Sequence, residues 1–336
     1  MKRIQIQNRV IGPGNPCFII AEAGLNHNGN PELAAKLIET AARCKADAVK
    51  FQTYTTRELF APDHPDYEKF EKHVFTREIY EDLMQHAERN DILFLSTPFD
   101  EASADLLESL GIPAFKIGSG ELTHLRFLKH LASKKKPMIL STGMATDEQV
   151  DKAVAVVQSM GDIPLALLHC VSAYPCPLEE ANVHRMSALM ERYDFPIGYS
   201  DHTESNTAAM AAVSLGACII EKHITLSHHL PGWDHNFSTE PEAFKRYVQT
   251  IRDIETALGT GEKKLTPSEI LVHEIARRSI YARKSIQAGE ALTQENLIVR
   301  RPVGPLSADQ FESVLGKTAL RSISKGTALH PQDFEN

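Results

Sequence analysis

Short apolar runs alternate with longer amphipathic ones through the first 240 positions, and each short run ends in a polar or charged cluster. In order they are Cys17–Ile20 into Ala21-Glu22-Ala23-Gly24, Ala46–Val49 into Lys50-Phe51-Gln52-Thr53, Ile92–Leu95 into Ser96-Thr97-Pro98, and Ala114–Phe115 into Lys116-Ile117-Gly118-Ser119. Then come Met138–Leu140 into Ser141-Thr142-Gly143, Leu165–Leu168 into His169-Cys170, Ile197–Tyr199 into Ser200-Asp201-His202, and Cys218–Ile220 into Glu221-Lys222-His223. Runs this short and this apolar predict strands buried on both faces. Helical spacing predicts helices at Pro31–Cys44, Thr76–Arg89, Glu101–Leu110, Asp147–Met160, Val183–Arg192, Ser205–Leu215 and Pro241–Leu258. Strand–helix alternation at this interval implies parallel pairing through right-handed crossovers. Eight such strands predict an α/β fold, a (β/α)8 TIM barrel, with its active site at the C-terminal strand ends where the polar clusters lie.

Two stretches break the rhythm. Thr53–Phe75 is polar, with Pro62, Pro65 and several aromatics, and is too long for an ordinary βα loop; it is expected to form part of a lid or an interface. After Leu258 the composition changes. The expected organisation is a barrel over 1–260, a linker with a helix near Ser268–Arg277 over 261–278, and a small β-rich domain over 279–336, marginal in size by itself.

Composition narrows the function. With 336 residues, 42% hydrophobic and 24% charged, the chain can bury a sizeable core. A net charge of −8 gives no support to nucleic-acid or anionic-membrane binding, so an anionic substrate needs a locally basic pocket. The five cysteines show no metal-type spacing, and no run approaches the roughly 20 residues of a membrane span. A cytoplasmic location is expected.

His202 and His223 end neighbouring strands of a closed barrel, so their imidazoles can converge on one ion. Two histidines completed by water and substrate oxygens suit Mn²⁺ or Mg²⁺. A lone histidine is more often structural; two on adjacent strand ends favour the metal. Asp234 and His235, in the loop after strand eight, are additional candidates. Lys50 and Lys116 with hydroxyls at Thr97, Ser119, Ser141, Thr142 and Ser200 make a phosphate or enol-phosphate site, while Lys222 either joins them or only reaches solvent. Gln52 follows Lys50 at alternate spacing. Glu22 and Glu121 are candidate acid–base groups, and Glu221 is read as an ion-pair partner that holds a lysine. Tyr174 overhangs the mouth, to contact substrate or to pack. No nucleophile elbow, dinucleotide fingerprint or phosphate-binding glycine loop is present.

Several of these segments, taken together and in order, resemble the sialic acid synthase family: Ile19 through Gly29, Ala46 through Thr53, Ser96-Thr97-Pro98-Phe99, Lys116 through Glu121, Gly198 through Thr203, Glu221-Lys222-His223 and Asp234-His235. The C-terminal part, Arg278 through Ala282, Arg300-Arg301-Pro302 and Lys325-Gly326, resembles that family's antifreeze-like (SAF) domain. The resemblance implies condensation of phosphoenolpyruvate with an N-acylated amino sugar, giving a nine-carbon 2-keto acid and phosphate. It further implies a divalent ion on His202 and His223, and phosphoenolpyruvate on Lys50, Lys116, Ser119, Ser141, Ser200 and Thr97. Glu22, then Glu121 and Asp234, would handle the cationic centre or a sugar proton. A domain-swapped homodimer is implied, in which Arg301 reaches the partner's sugar site.

Ser172 stands where N-acetylneuraminate-forming members usually carry asparagine, and Trp233 is not the commonest residue beside the sugar. Both N-acetylmannosamine and a 2,4-diacetamido-trideoxyhexose therefore stay open as acceptors. Two other readings compete. A Kdo phosphate synthase type of reaction would need a further basic cluster for a second phosphate, which the sequence does not display. A non-catalytic carbohydrate- or ice-binding module would leave the strand-end lysines and histidines without a purpose.

Overall fold

In the computed structural model, which describes residues 2–335, the chain divides after Gly259 into two units. The first opens with an antiparallel hairpin, β1 (Ile4–Ile6) and β2 (Arg9–Ile11), which the hydrophobic pattern does not announce because each strand has only three residues. Eight parallel strands follow: β3 (Phe18–Gly24), β4 (Ala48–Thr53), β5 (Leu93–Pro98), β6 (Phe115–Ile117), β7 (Met138–Ser141), β8 (Leu165–Cys170), β9 (Ile197–Asp201) and β10 (Ile219–His223). They close into a barrel in which β10 pairs with β3, the TIM architecture expected from the eight apolar runs.

The strands are linked through α1 (Pro31–Arg43), two short helices α2 (Thr56–Leu59) and α3 (Tyr67–Glu71), then α4 (Arg77–Arg89), α5 (Glu101–Ser109), α6 (Leu125–Ser133), α7 (Asp147–Ser159), α8 (Arg185–Arg192), α9 (Thr207–Ser214) and α10 (Pro241–Leu258). Caps place several starts. Asn30 accepts from the Glu32 and Leu33 amides ahead of Pro31, and Thr146 and Gln149 form a capping box. Helix α6 is not among the expected elements. It is short and its start, at His124, has no side-chain cap, so only its buried stripe of Phe127, Leu128, Leu131 and Ala132 signals it.

Alternation along each strand divides the core in two. Residues facing outward, among them Ile19, Val49, Phe51, Phe94, Phe115 and Leu140, pack against the helices. Residues facing the lumen, including Phe18, Ile20, Ala48, Leu95, Ile139 and Leu168, form the interior layers. Ile4, Ile6 and Ile11 of the hairpin join those layers at the N-terminal strand ends and plug that mouth.

The second unit carries helix α11 (Pro267–Ala276), none of whose residues is buried, and an antiparallel pair, β11 (Ser279–Ala282) and β12 (Leu297–Arg300). Further pairing is by isolated bridges such as Ile286 with Ile323 and Ala319 with Phe334. Its core is its own and includes Ile280, Ile286, Leu292, Leu297, Leu306, Ile323 and Leu329. A one-turn helix, α12 (Phe311–Val314), closes it.

Ile6 is fully buried in the plug, so Ile6→Ala should cost about 2–5 kcal/mol of stability. Denaturant unfolding measures this; a loss below about 0.5 kcal/mol would show that the hairpin does not close the barrel.

Candidate active site

Register explains why charged side chains gather at one end of the lumen. Partners in a parallel pair face the same side, and Lys50 pairs with Leu95, a lumen residue, and with Glu22 across β3. Gln52 pairs with Thr97, Cys170 with Ser200, and Ser200 with Glu221. Lys116 and Ser141 follow Ala114 and Ile139, both lumen residues, by two positions. Thus the inward row passes from apolar to polar at the C-terminal strand ends, as alternation requires.

The charges meet there in one network. Lys50 Nζ lies 2.9 Å from Glu22 Oε2 and 3.5 Å from Glu221 Oε2, and donates to Thr97 Oγ1 at 3.0 Å. Lys116 Nζ lies 3.5 Å from Glu221 Oε1 and donates to Ser141 Oγ at 2.7 Å. Ser200 Oγ donates to Glu221 at 2.9 Å, and Gln52 Nε2 to Glu22 at 3.1 Å. All four charged groups are at most 4% exposed. Burial pushes Glu22 up to about 7, with Glu221 adding repulsion and Lys50 opposing the rise. Glu221 goes the other way: burial would raise it, but Lys116, Lys50 and the Ser200 hydroxyl outweigh that and hold it low. Lys116 is lowered by burial, whereas at Lys50 the two carboxylates overcome burial and raise it. Glu221, expected to hold one lysine, bridges two.

Beside this network stand the two imidazoles, ring centroids 5.5 Å apart. His202 Nδ1 is 2.7 Å from the Val171 carbonyl, which makes it the protonated nitrogen and leaves Nε2 as the lone-pair donor. His223 Nδ1 is buried with no hydrogen-bond partner in the protein. Burial lowers the pKa of both, the neutral form a metal requires. Among the described residues no group of three or more His, Cys, Asp or Glu side chains has metal-site geometry. An ion on this pair would take its remaining ligands from water and substrate. The Tyr174 ring lies 4.3 Å from His202, tilted by 43°, and Phe237 lies 5.1 Å from Tyr174.

A cavity of about 740 Å³ opens over these groups, lined by Gln52, Ser172, Tyr174, His223, Asp234 and Phe237 among others. At its edge Gly24 has φ +51°, and a Cβ there would fall 2.8 Å from Asp234 Oδ2 and 3.6 Å from both Glu22 Oε1 and His223 Nδ1. Glycine thus keeps open the point on which those three converge. Of the buried side-chain polar atoms left without a hydrogen bond among the described residues, Ser172 Oγ and His223 Nδ1 belong here, while Glu22 Oε2 and Glu221 Oε2 have only their ion pairs with Lys50. Unsatisfied buried groups are costly, and their concentration marks a ligand site.

Other candidates lie elsewhere. Ser119 stands near the mouth, accepting from the Gly143 amide at 3.0 Å and 3.1 Å from Cys170 Sγ. Cys170, not singled out by its spacing, faces the same lumen; its register with Ser200 is the signal. Glu121 sits on a 3-10 turn after β6, 3.4 Å from His124, and has no contact with the lysine network. His235 is corrected: its Nδ1 is 2.7 Å from Thr225 Oγ1 and its Nε2 3.2 Å from Asn28, so both nitrogens are taken by the loop scaffold. Lys222 neither joins the mouth nor reaches solvent. It faces outward, paired with Asp201 at 3.0 Å, and Tyr247 of α10 also donates to that carboxylate. Arg301 is exposed in the second unit, just beyond β12.

Comparison with known proteins agrees with the geometry. Residues 37–263 match the NeuB family and residues 277–335 the SAF domain. This chain belongs to the NeuB family. It is 42% identical to the N,N'-diacetyllegionaminic acid synthase of Campylobacter jejuni, over 92% of this chain and 97% of that one. The Legionella pneumophila enzyme of the same name is 40% identical over 95% and 94%. The N-acetylneuraminic acid (sialic acid) synthetase of Leptospira borgpetersenii, solved with citrate, superposes with a TM-score of 0.76 at 36% identity, covering 80% of this chain and 94% of that one. NeuB membership accounts for the order of the strand-end motifs along the barrel, and the SAF match for the small second core. No helix among the described residues is long and apolar enough to cross a membrane.

The raised Glu22 gives a signed pH dependence. Its folded-state pKa of about 7 exceeds the ordinary 4.5, so the folded protein binds the extra proton between those values. The stability from that proton is complete below about pH 4.5 and is lost as pH rises through about 7. Glu22→Gln removes this loss, so the variant should gain on the wild type between pH 5 and 8 by up to about 3 kcal/mol. Thermal unfolding across that range in chelator checks it; parallel curves would contradict the raised pKa.

Proposed function

We propose that this protein is a nonulosonic acid synthase. It joins C3 of phosphoenolpyruvate to the aldehyde carbon of an open-chain N-acylated amino sugar, adds water at C2 and releases phosphate by C–O cleavage. The observation that carries the reading is the placement of two buried lysines and a set of hydroxyls beside two imidazoles, one of which, His223, lines a large cavity.

Lys50 and Lys116, with Thr97, Ser119, Ser141 and Ser200, hold the phosphate and carboxylate of phosphoenolpyruvate as point charges and hydroxyl donors. Binding displaces part of the Glu221 contact, so the anion enters a pocket already dry and oriented. Glu22, steadied by Gln52, is placed to stabilise positive charge at C2 or to hold a sugar hydroxyl proton, and a pKa near neutrality suits either task. Asp234 is the second carboxylate at the cavity, raised by burial, and Tyr174 covers the imidazoles. A divalent cation, Mn²⁺ or Mg²⁺, on His202 and His223 would polarise the acceptor aldehyde. The acceptor we favour is a 2,4-diacetamido-trideoxyhexose, in line with the legionaminic acid synthases above. N-acetylmannosamine is the comparison substrate.

The active assembly is a domain-swapped homodimer in which Arg301 contacts the N-acyl group in the partner's barrel. Exposed Leu271, Val272 and Ile275 on α11 support an assembly that covers this helix.

Phosphoenolpyruvate offered with a panel of N-acylated amino sugars should release phosphate and give a 2-keto acid identifiable by mass. EDTA should abolish turnover and Mn²⁺ or Mg²⁺ restore it; full activity after exhaustive chelation rules out the metal role. Arg301→Ala should raise the sugar KM about tenfold or more with little change in that for phosphoenolpyruvate, the size of one charge-assisted hydrogen bond. An unchanged sugar KM would remove the cross-subunit contact.

A further inference from the structure

Each imidazole of the mouth follows a charged residue that faces the other way. Asp201 precedes His202 at the end of β9, Lys222 precedes His223 in β10, and the strand register pairs Asp201 with Lys222 directly. Alternation turns both away from the lumen. Their side chains are 0% and 3% exposed. Lys222 Nζ lies 3.0 Å from Asp201 Oδ2 and donates to the Thr203 carbonyl. Tyr247 of α10 donates to the same carboxylate oxygen at 3.0 Å, and Lys222 Nζ lies 5.6 Å from its ring centroid. Asp201 Oδ1 accepts from the Thr203 amide at 2.9 Å and from its hydroxyl at 2.7 Å. Four donors, from the end of β9, from β10 and from α10, thus saturate one carboxylate.

The two imidazoles are held unequally. His202 is fixed through its ring, with Nδ1 2.7 Å from the Val171 carbonyl, and through its own carbonyl, which accepts from the Cys176 amide at 2.8 Å. His223 Nδ1 has no hydrogen-bond partner in the protein, and its ring packs beside Phe237 and Tyr174. The place of His223 is therefore set by its strand. Towards β3 the backbone pairing extends to His223 itself, opposite Glu22. Towards β9 it stops one residue short, at Lys222 and Asp201. Across that seam the outward ion pair is the last link before the two rings.

We propose that Asp201, Lys222 and Tyr247 are positioning residues that set the separation of His202 and His223, and so the affinity of the mouth for a divalent cation. None of the three touches the ion or a substrate. The inference rests on the metal-dependent synthase reading and gives a task to side chains outside the cavity. Apolar side chains of similar volume could replace a buried ion pair with little loss of stability, so stability alone does not account for it. Metal–ligand distances hold to within about 0.2 Å, a tolerance that two donors on separate strands meet only if the strands cannot shift.

The test measures Mn²⁺ binding to the full chain without substrate, from the electron paramagnetic resonance signal of the free ion. Asp201→Asn/Lys222→Met removes both charges while the asparagine oxygen still accepts from Thr203. The Mn²⁺ Kd should rise about 10- to 100-fold, the range for losing support behind metal ligands, with the melting temperature in chelator little changed. Tyr247→Phe keeps the ring and the ion pair but frees the carboxylate from α10, and should weaken Mn²⁺ about two- to fivefold, within the net worth of one hydrogen bond. An unchanged Kd in both variants overturns the positioning role and leaves the synthase reading intact. If the double variant does not fold, Tyr247→Phe decides: weaker Mn²⁺ binding at wild-type melting temperature supports the role, and equal binding overturns it. Absence of Mn²⁺ binding in the wild type, with Mg²⁺ likewise unable to support turnover, fails the metal reading beneath the inference.

Discussion

Lys50 and Lys116 are drawn out of water at the top of a barrel whose lower layers are apolar, and Glu221 makes that arrangement tenable by facing both ammonium groups. Removing one member of such a buried set typically costs about 3–5 kcal/mol, since the remaining charge is left uncompensated. Burial raises the pKa of Glu22 and repulsion from Glu221 adds to it, whereas Lys116, Lys50 and the Ser200 hydroxyl outweigh burial at Glu221 and hold it low. The hydroxyls of Thr97, Ser141 and Ser200 satisfy the protons and lone pairs that the ion pairs leave over. Fixed donors of this kind suit an anionic ligand, because little reorganisation of the protein is required.

The same strand ends carry a second buried ion pair on their other face. Ser200 and His202 point inward while Asp201 between them points outward; Glu221 and His223 point inward while Lys222 points outward. The Asp201–Lys222 pair, reinforced by Tyr247, ties β9 to β10 and to α10 directly behind the imidazoles. Two adjacent strands are thereby fixed relative to each other at the place where the two imidazoles stand. Rigid strand ends of this sort allow the connections above them to vary.

The two units have independent cores, and they differ in how much apolar surface they leave uncovered. In the barrel, the hairpin plug and the surrounding helices bury nearly every large aliphatic side chain of the strands. In the second unit the core includes Ile280, Leu292 and Leu329, while α11 leaves Leu271, Val272 and Ile275 in solvent.

Much of this molecule could be read without coordinates. Eight apolar runs, each closed by polar residues and separated by helical stretches, point to a parallel barrel, because that arrangement buries every run and aligns their polar ends on one face. Period-two alternation then places Lys50, Lys116, Ser200, His202 and His223 on one side, so that most of the candidate site was legible as well. Elements too short to show a period, such as the plug hairpin and α6, were not. Nor were relationships that depend on distance across the barrel: Glu221 between two lysines, His235 committed to Thr225 and Asn28, Lys222 turned toward Asp201. Spacing along a chain reports which face a side chain occupies. Which neighbour it meets there depends on the shear and closure of the sheet and on loops from distant segments, and those exist only once the tertiary structure has formed.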